Sequence, residues 1–253
     1  MGKRLSIAVE DSNLKFILYY TKMSIEFCFK KITDLLYNES VNLEDSRYIT
    51  AIAGPPGCGK SSIAQLFAHL FKRNYNVDTI ILPLDGFHYE NDYLKSQKVN
   101  LKNRIVTLYD VKGAPETYNT DYYITCLNKL YSGEEFFWPI YSRKLHNPIK
   151  NGIKVSKNRA IYIIEGNYLL LNESPWNSLF NYYNKRIFIN SRFRFLKKRI
   201  VKRKIAGGFS RKEAVKHFII SDRENIKRVL KNSTEYDILI NQIGKYRYIL
   251  KSF

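Results

Sequence analysis

Apolar residues along this chain follow two alternating rhythms. Short runs with few polar interruptions recur at Tyr48-Ile49-Thr50-Ala51-Ile52-Ala53, Thr79-Ile80-Ile81-Leu82-Pro83, Ala160-Ile161-Tyr162-Ile163-Ile164, Arg186-Ile187-Phe188-Ile189 and Tyr236-Asp237-Ile238-Leu239-Ile240. Such runs predict strands buried on both faces. Between them lie stretches with helical spacing. Ser61 to Phe71 places Ile63, Leu66, Phe67 and Leu70 on one face, and similar patterns cover Met23 to Tyr37, Asp121 to Tyr131, Phe193 to Ile205 and Ser210 to Leu230. Strands alternating with helices imply an α/β fold of three layers, a mostly parallel sheet with helices on both sides. Ligands in such a sheet bind beyond the carboxyl ends of the strands. That rule directs attention to residues 54–62, Asp85, Glu165 and the stretch from Ser191 to Arg203.

The segment after the first run, Gly54-Pro55-Pro56-Gly57-Cys58-Gly59-Lys60-Ser61-Ser62, fits the pattern G-x-x-x-x-G-K-[ST] at every constrained position. Glycines let successive backbone N–H groups turn inward around phosphate oxygens, Lys60 supplies a point charge, and the Ser61 hydroxyl is a ligand for Mg²⁺. The loop joins a predicted strand to a helix N-terminus, which also favours an anion. A nucleoside triphosphate is the expected ligand. After the second run, Asp85 in Leu84-Asp85-Gly86-Phe87-His88 is a candidate base for phosphoryl transfer to an alcohol, although Asp-Gly is also an ordinary turn pair. After the third, Glu165 is the candidate metal-side carboxylate, with capping or ion pairing as its plainer role.

Composition narrows the setting. A chain of 253 residues without a linker-like segment suits one α/β domain. Cys28, Cys58 and Cys126 are odd in number and widely spaced, which argues against a disulfide framework and for a reducing, cytoplasmic setting. Met1-Gly2-Lys3-Arg4 is basic, but Glu10 and Asp11 interrupt the apolar stretch behind it, so no signal-peptide core is expected; no run approaches the roughly 18 apolar residues of a membrane span. The net charge of +19 is spread along the chain, with its densest cluster from Ser191 to Lys204. Such a field steers anionic substrates as well as nucleic acid, and the cluster also reads as a solvated helix face. Cys58, beside Lys60 and at a helix N-terminus, has two readings: a thiol of lowered pKa that reacts with alkylating reagents, or a small side chain turned into the core and inert. His88 and His146 are lone histidines with no zinc spacing around them.

Taken together, the motifs resemble the phosphate-loop kinases that include uridine kinase, phosphoribulokinase and bacterial pantothenate kinase. The resemblance covers roughly residues 48–240 and rests on the phosphate loop, Asp85-Gly86-Phe87, Lys112-Gly113-Ala114-Pro115-Glu116-Thr117-Tyr118, Pro139-Ile140-Tyr141-Ser142, Glu165-Gly166 and Asp222-Arg223-Glu224-Asn225. It is closest to the short branch of fructose-transport-system and pantothenate-kinase-like kinases. It implies a P-loop fold with a five-stranded parallel sheet, and an ATP- and Mg²⁺-dependent transfer of the γ-phosphoryl to a hydroxyl of a small metabolite. Within a single domain, residues 1–45 form an N-terminal helical extension, 86–158 an acceptor-side lobe and 191–210 a lid.

The resemblance also assigns roles. Residues 54–62 bind nucleotide, Asp85 and Lys60 act in catalysis, and Ser61 and Glu165 serve the metal. Arg199 and Arg203 clamp the phosphoryl group from the lid, and His88, Tyr89, Lys112, Tyr141, Arg143 and His146 line the acceptor pocket. Val111 and Asn119 depart from the short branch, and Ser142 stands where uridine kinases carry aspartate but pantothenate kinase has serine; this disfavours a nucleoside and leaves the acceptor a small hydroxylated metabolite, with sugar, pantothenate-like and nucleoside acceptors still open. A GTPase is disfavoured because Asn184-Lys185 and Asn128-Lys129 lack the aspartate of N-K-x-D. The rival class is a nucleotide-binding protein that acts on nucleic acid through its basic surface. No membrane or nucleic-acid partner is expected, and a homodimer stays open.

Overall fold

The computed structural model describes residues 5–11, 14–20, 23–43, 47–101, 104–157, 160–244 and 247–252. Strands β1 (Leu5–Asp11) and β2 (Leu14–Tyr20) precede α1 (Met23–Val41), β3 (Tyr48–Ala53), α2 (Lys60–Tyr75) and β4 (Thr79–Pro83). Then come α3 (Asn91–Ser96), β5 (Lys98–Leu101), β6 (Arg104–Thr107), α4 (Thr120–Tyr131), β7 (Phe136–Ser142), β8 (Asn147–Val155) and β9 (Ile161–Gly166). The chain continues through β10 (Lys185–Ser191), α5 (Phe193–Ala206), α6 (Arg211–His217), a π-helical turn at Phe218–Asp222, α7 (Arg223–Asn232), β11 (Ile238–Gly244) and β12 (Arg247–Ser252).

Each of the apolar runs became a strand of one parallel block, in the spatial order β4-β9-β3-β10-β11. Burial explains why these runs lack a polar rhythm. On β3, Ile49, Ala51 and Ala53 enter one core and Tyr48 and Ile52 the other; on β9, Tyr162 and Ile164 oppose Ile161 and Ile163. Period two persists, but both faces are apolar. Helices α1, α2 and α5 cover one face through Phe29, Phe67 and Leu196, while α4 covers the other through Tyr123, Leu127 and Leu130. The expected three layers and five parallel strands are present.

Two expectations need correction. The N-terminal extension is not helical throughout, because β1 and β2 form an antiparallel hairpin ahead of α1. β12 pairs antiparallel with β11 and parallel with β1, so the sheet grows to eight strands. An open edge of unpaired backbone groups selects strand over helix there; the basic start at residues 1–4 lies outside the described residues. Residues 86–158 do not stand apart as a lobe either. Helix α4 belongs to the main core, and Trp138 of β7 is fully buried in it.

Arg47 ties this second layer to the sheet. Its guanidinium, buried just before β3, donates to the carbonyls of Leu130 (3.2 Å), Gly133 (3.1 Å), Glu134 (2.7 Å) and Ser156 (2.6 Å). These include carbonyls at the end of α4 that helix geometry leaves without partners. Arg47→Met should lower unfolding stability by about 2–4 kcal/mol, since the remaining buried carbonyls lose a charged donor. Urea denaturation followed by circular dichroism checks this, the expected result being a lower midpoint at unchanged slope.

Candidate active site

The carboxyl ends of β3, β4 and β9 open onto a cleft of about 440 Å³. Its floor is the phosphate loop. Gly59 has φ 102° with open space where a side chain would project, so the left-handed backbone alone demands glycine there. Helix α2 begins at the next residue, with its amino end toward the cleft. Lys60 is buried, and its Nζ donates to the carbonyls of Gly54 (2.9 Å) and Pro55 (3.3 Å) and to Asn167 Oδ1 (2.7 Å). A cation whose oxygen partners among the described residues are all neutral, at a helix N-terminus, is matched to an anionic ligand.

The cleft is lined by Pro56, Gly57, Gly59, Lys60, Ser61 and Ser62, whereas Gly54, Pro55 and Cys58 lie behind it. Of the two readings of Cys58, the structure has the buried one. The residue is 1% exposed, and burial pushes its thiol pKa up against the opposing pull of Lys60. Desolvation of a thiolate outweighs one nearby ammonium.

Ser61 Oγ donates to Glu165 Oε1 at 2.8 Å across the cleft floor. Burial raises the Glu165 pKa, with Lys60 pulling the other way. A hydroxyl beside a desolvated carboxylate is a hard-oxygen donor set that fits Mg²⁺, and the raised pKa marks a charge still short of compensation.

Asp85 reaches the cleft from the turn after β4. Gly86 makes this possible. A Cβ there would stand 2.1 Å from the Pro139 carbonyl oxygen, so β7 lies directly against the backbone beside Asp85. Trp138 Nε1 donates to Pro83 O at 2.9 Å and fixes that contact. Tyr118, buried and with its pKa raised by desolvation and then by Asp85, keeps its proton and donates to Asp85 Oδ1 at 3.2 Å. His88 stacks on Tyr118 at 3.8 Å, and its pKa is lowered chiefly by burial.

The remaining acceptor-side residues divide. Tyr141 and Arg143 line the cleft. Lys112 does not; its Nζ donates to His146 O (2.8 Å) and Asn91 Oδ1 (2.5 Å) and lies 5.0 Å from the Tyr141 ring centre. His146 contributes its backbone carbonyl while its side chain is exposed, and Tyr89 stacks away on Tyr93. On α5, Leu196 and Ile200 are fully buried, and Ile200 packs against Gly57, so this part of the expected lid is anchored on the loop. The two arginines part company. Arg203 lines the cleft, whereas Arg199 donates to Gly57 O (3.1 Å) and Gln242 Oε1 (2.7 Å) and bears on the loop from behind.

Sequence reasoning missed Asn167 and Tyr118, the partners of Lys60 and Asp85. Glu116 of the same motif is structural, paired with Arg228, which also pairs with Glu173.

A parallel α/β sheet with this loop and these strand-end carboxylates defines a P-loop kinase. The chain belongs to the Phosphoribulokinase / Uridine kinase family, whose profile matches residues 49–246. Its members are ATP-dependent phosphotransferases acting on small molecules. The chain is 29% identical over 245 residues to the uncharacterized protein YggC of Escherichia coli (strain K12), across 96% of this chain and 98% of that one. A pantothenate kinase of Streptococcus pyogenes serotype M5 (strain Manfredo) is 30% identical over 147 residues, which are 57% of this chain and 45% of that kinase. Among solved structures, a "putative fructose transport system kinase" from Silicibacter sp. TM1040 aligns with a TM-score of 0.72 and 25% identity, over 83% of this chain and 98% of that one. Among the described residues, no helix is long and apolar enough to cross a membrane.

The Glu165 shift has a measurable consequence. A carboxyl whose folded pKa lies above its unfolded value stabilises the fold fully below the unfolded pKa and loses that contribution as pH rises through the folded pKa. Glu165→Gln does not ionise. The melting temperature of nucleotide-free Glu165→Gln should therefore gain on wild type as pH rises from acid to neutral, which calorimetric scans across that range check.

Proposed function

We propose that this protein is an ATP- and Mg²⁺-dependent kinase that transfers the γ-phosphoryl group to a hydroxyl of a small metabolite. The observation that carries this reading is the meeting of the phosphate loop, the Ser61–Glu165 pair and Asp85 in one cleft. Lys60, Asn167 and the amino end of α2 would orient the triphosphate, and Ser61 and Glu165 would hold the metal. Mg²⁺ bound there offsets charge on the transferring group. Asp85, fixed by Tyr118, orients the acceptor hydroxyl and takes its proton as the new oxygen–phosphorus bond forms and the bond to the β–γ bridging oxygen breaks. Arg203 meets the charge on the transferring phosphoryl.

An ADP-release screen of pantothenate, pentoses, hexoses, nucleosides and polyols tests the reading, and ATP binding without turnover of any acceptor would sink it. With an acceptor found, Asp85→Asn should lower kcat by about 10²–10⁴-fold and leave ATP affinity intact. The arginines separate as well. Arg203→Ala should cost about 10²-fold in kcat, while Arg199→Ala, which frees the Gly57 carbonyl, should act mainly on the KM for ATP. Steady-state kinetics with each substrate varied in turn distinguish the two.

A further inference from the structure

Resting on that kinase reading, the role given to Arg203 requires its guanidinium to be fixed, yet the part of α5 that carries it has no hold on the core. Leu196 and Ile200 anchor the earlier turns, but from Val201 to Ala206 no side chain is buried. Arg203 belongs to this outer turn and still lines the cleft. A helix end without apolar contacts frays. Charge ties it down instead. Lys204, the next residue, places its Nζ 3.3 Å from Asp222 Oδ2, and the same ammonium lies 5.9 Å from the Phe209 ring centre.

Asp222 sits where the usual burial preferences are inverted. It closes the π-helical turn Phe218–Asp222, in which Ile219 and Ile220 are 51% and 59% exposed while the aspartate side chain is only 16% exposed. Two isoleucines face solvent and a carboxylate faces α5. This arrangement is unfavourable on both counts. Helix capping does not account for it, because Asp222 stands at the start of α7 without making a capping hydrogen bond. Its buried Oδ2 also makes no aligned hydrogen bond among the described residues. π turns are rare and concentrate at functional sites. Here the turn sets Phe218 against Phe193, with ring centres 5.7 Å apart, and Asp222 against Lys204 near the other end of the same helix. Burial raises the Asp222 pKa, while Lys204, then Arg203 and His217, pull it back.

We propose that Asp222 is a positioning residue, which through Lys204 pins the outer turn of α5 and so holds the Arg203 guanidinium at the transferring phosphoryl group. Global unfolding releases the carboxylate into water, whereas fraying of this turn alone would remove Lys204 and leave the carboxylate buried. The charge thus resists local opening although, at neutral pH, it lowers global stability relative to a side chain that does not ionise. A guanidinium already in place meets the developing charge without reorganisation at the moment of transfer.

Asp222→Asn keeps the shape and removes the charge. With an acceptor from the screen, it should lower kcat about 10-fold and leave both KM values little changed. In an Arg203→Ala background the same substitution should lower kcat no further. Lys204→Met should reproduce both results, and it remains informative if Asp222→Asn fails to fold. In the nucleotide-free protein, hydrogen exchange followed by mass spectrometry should quicken about 3–5-fold at residues 201–209, the worth of a partly exposed ion pair, and stay unchanged in α2. The melting temperature of Asp222→Asn at neutral pH should equal or exceed that of wild type. An equal loss of kcat in the two backgrounds, with a lower melting temperature, marks a merely structural aspartate and overturns the inference. Wild-type kcat in Asp222→Asn, or unchanged exchange at residues 201–209, overturns it as well, and in each case the kinase reading stands. A wild type that binds MgATP and turns over no acceptor overturns both.

Discussion

A parallel sheet covered on both faces leaves its strand interiors no choice but packing. Every side chain in the body of β3 and β9 is committed to one core or the other, down to the buried Thr50 hydroxyl. Polar chemistry is displaced to the carboxyl ends, where the chain leaves the sheet. Asp85, Glu165 and the phosphate loop stand together because the strands before them end at one edge in matched register, with Pro83 beside Glu165 and Ala53 beside Gly166. The cleft is in this sense a by-product of burying five strands, and its specificity comes from what is laid across that edge.

This constraint also explains what was legible in the sequence. Local signals sufficed for the parallel strands, whose apolar runs are unambiguous, and for the phosphate loop, whose spacing is fixed by the backbone geometry around one ligand. Contacts between distant segments left no local trace. Lys60 meets Asn167 across 107 positions, and Tyr118 meets Asp85 across 33. Asn167 stands two residues after Glu165, in a segment already singled out, yet nothing in its type announces a lysine partner. The β7–β8 hairpin was hidden for another reason. Pro139 interrupts its apolar run and the pairing shifts register there, so neither a strand nor a helix rhythm develops.

Cys58 and Arg199 show how neighbours in sequence mislead about environment. Both have the residue types of a reactive site, a thiol near an ammonium and an arginine one helical turn from Arg203. In three dimensions the loop turns the thiol into the core, and α5 turns Arg199 toward the back of the loop, where it grips Gly57 O and Gln242. Charge proximity along the chain is thus a poor guide where burial is undetermined. Desolvation outweighs it at Cys58, and helix rotation separates the arginines.

The contact of Gly86 with Pro139 divides the β7–β8 hairpin into two parts with different freedom to change. Its base is locked by a backbone approach that no side chain can enter and by the indole of Trp138 on Pro83 O, so the base and Asp85 can change only together. Its tip, from Arg143 to His146, is exposed and contributes no buried side chain. Substitutions there change the rim of the cleft at Arg143 without disturbing the fold. An enzyme built this way can drift from one acceptor to another by changing a few surface positions, which offers a physical route by which a common scaffold diversifies while its phosphoryl-transfer apparatus stays fixed.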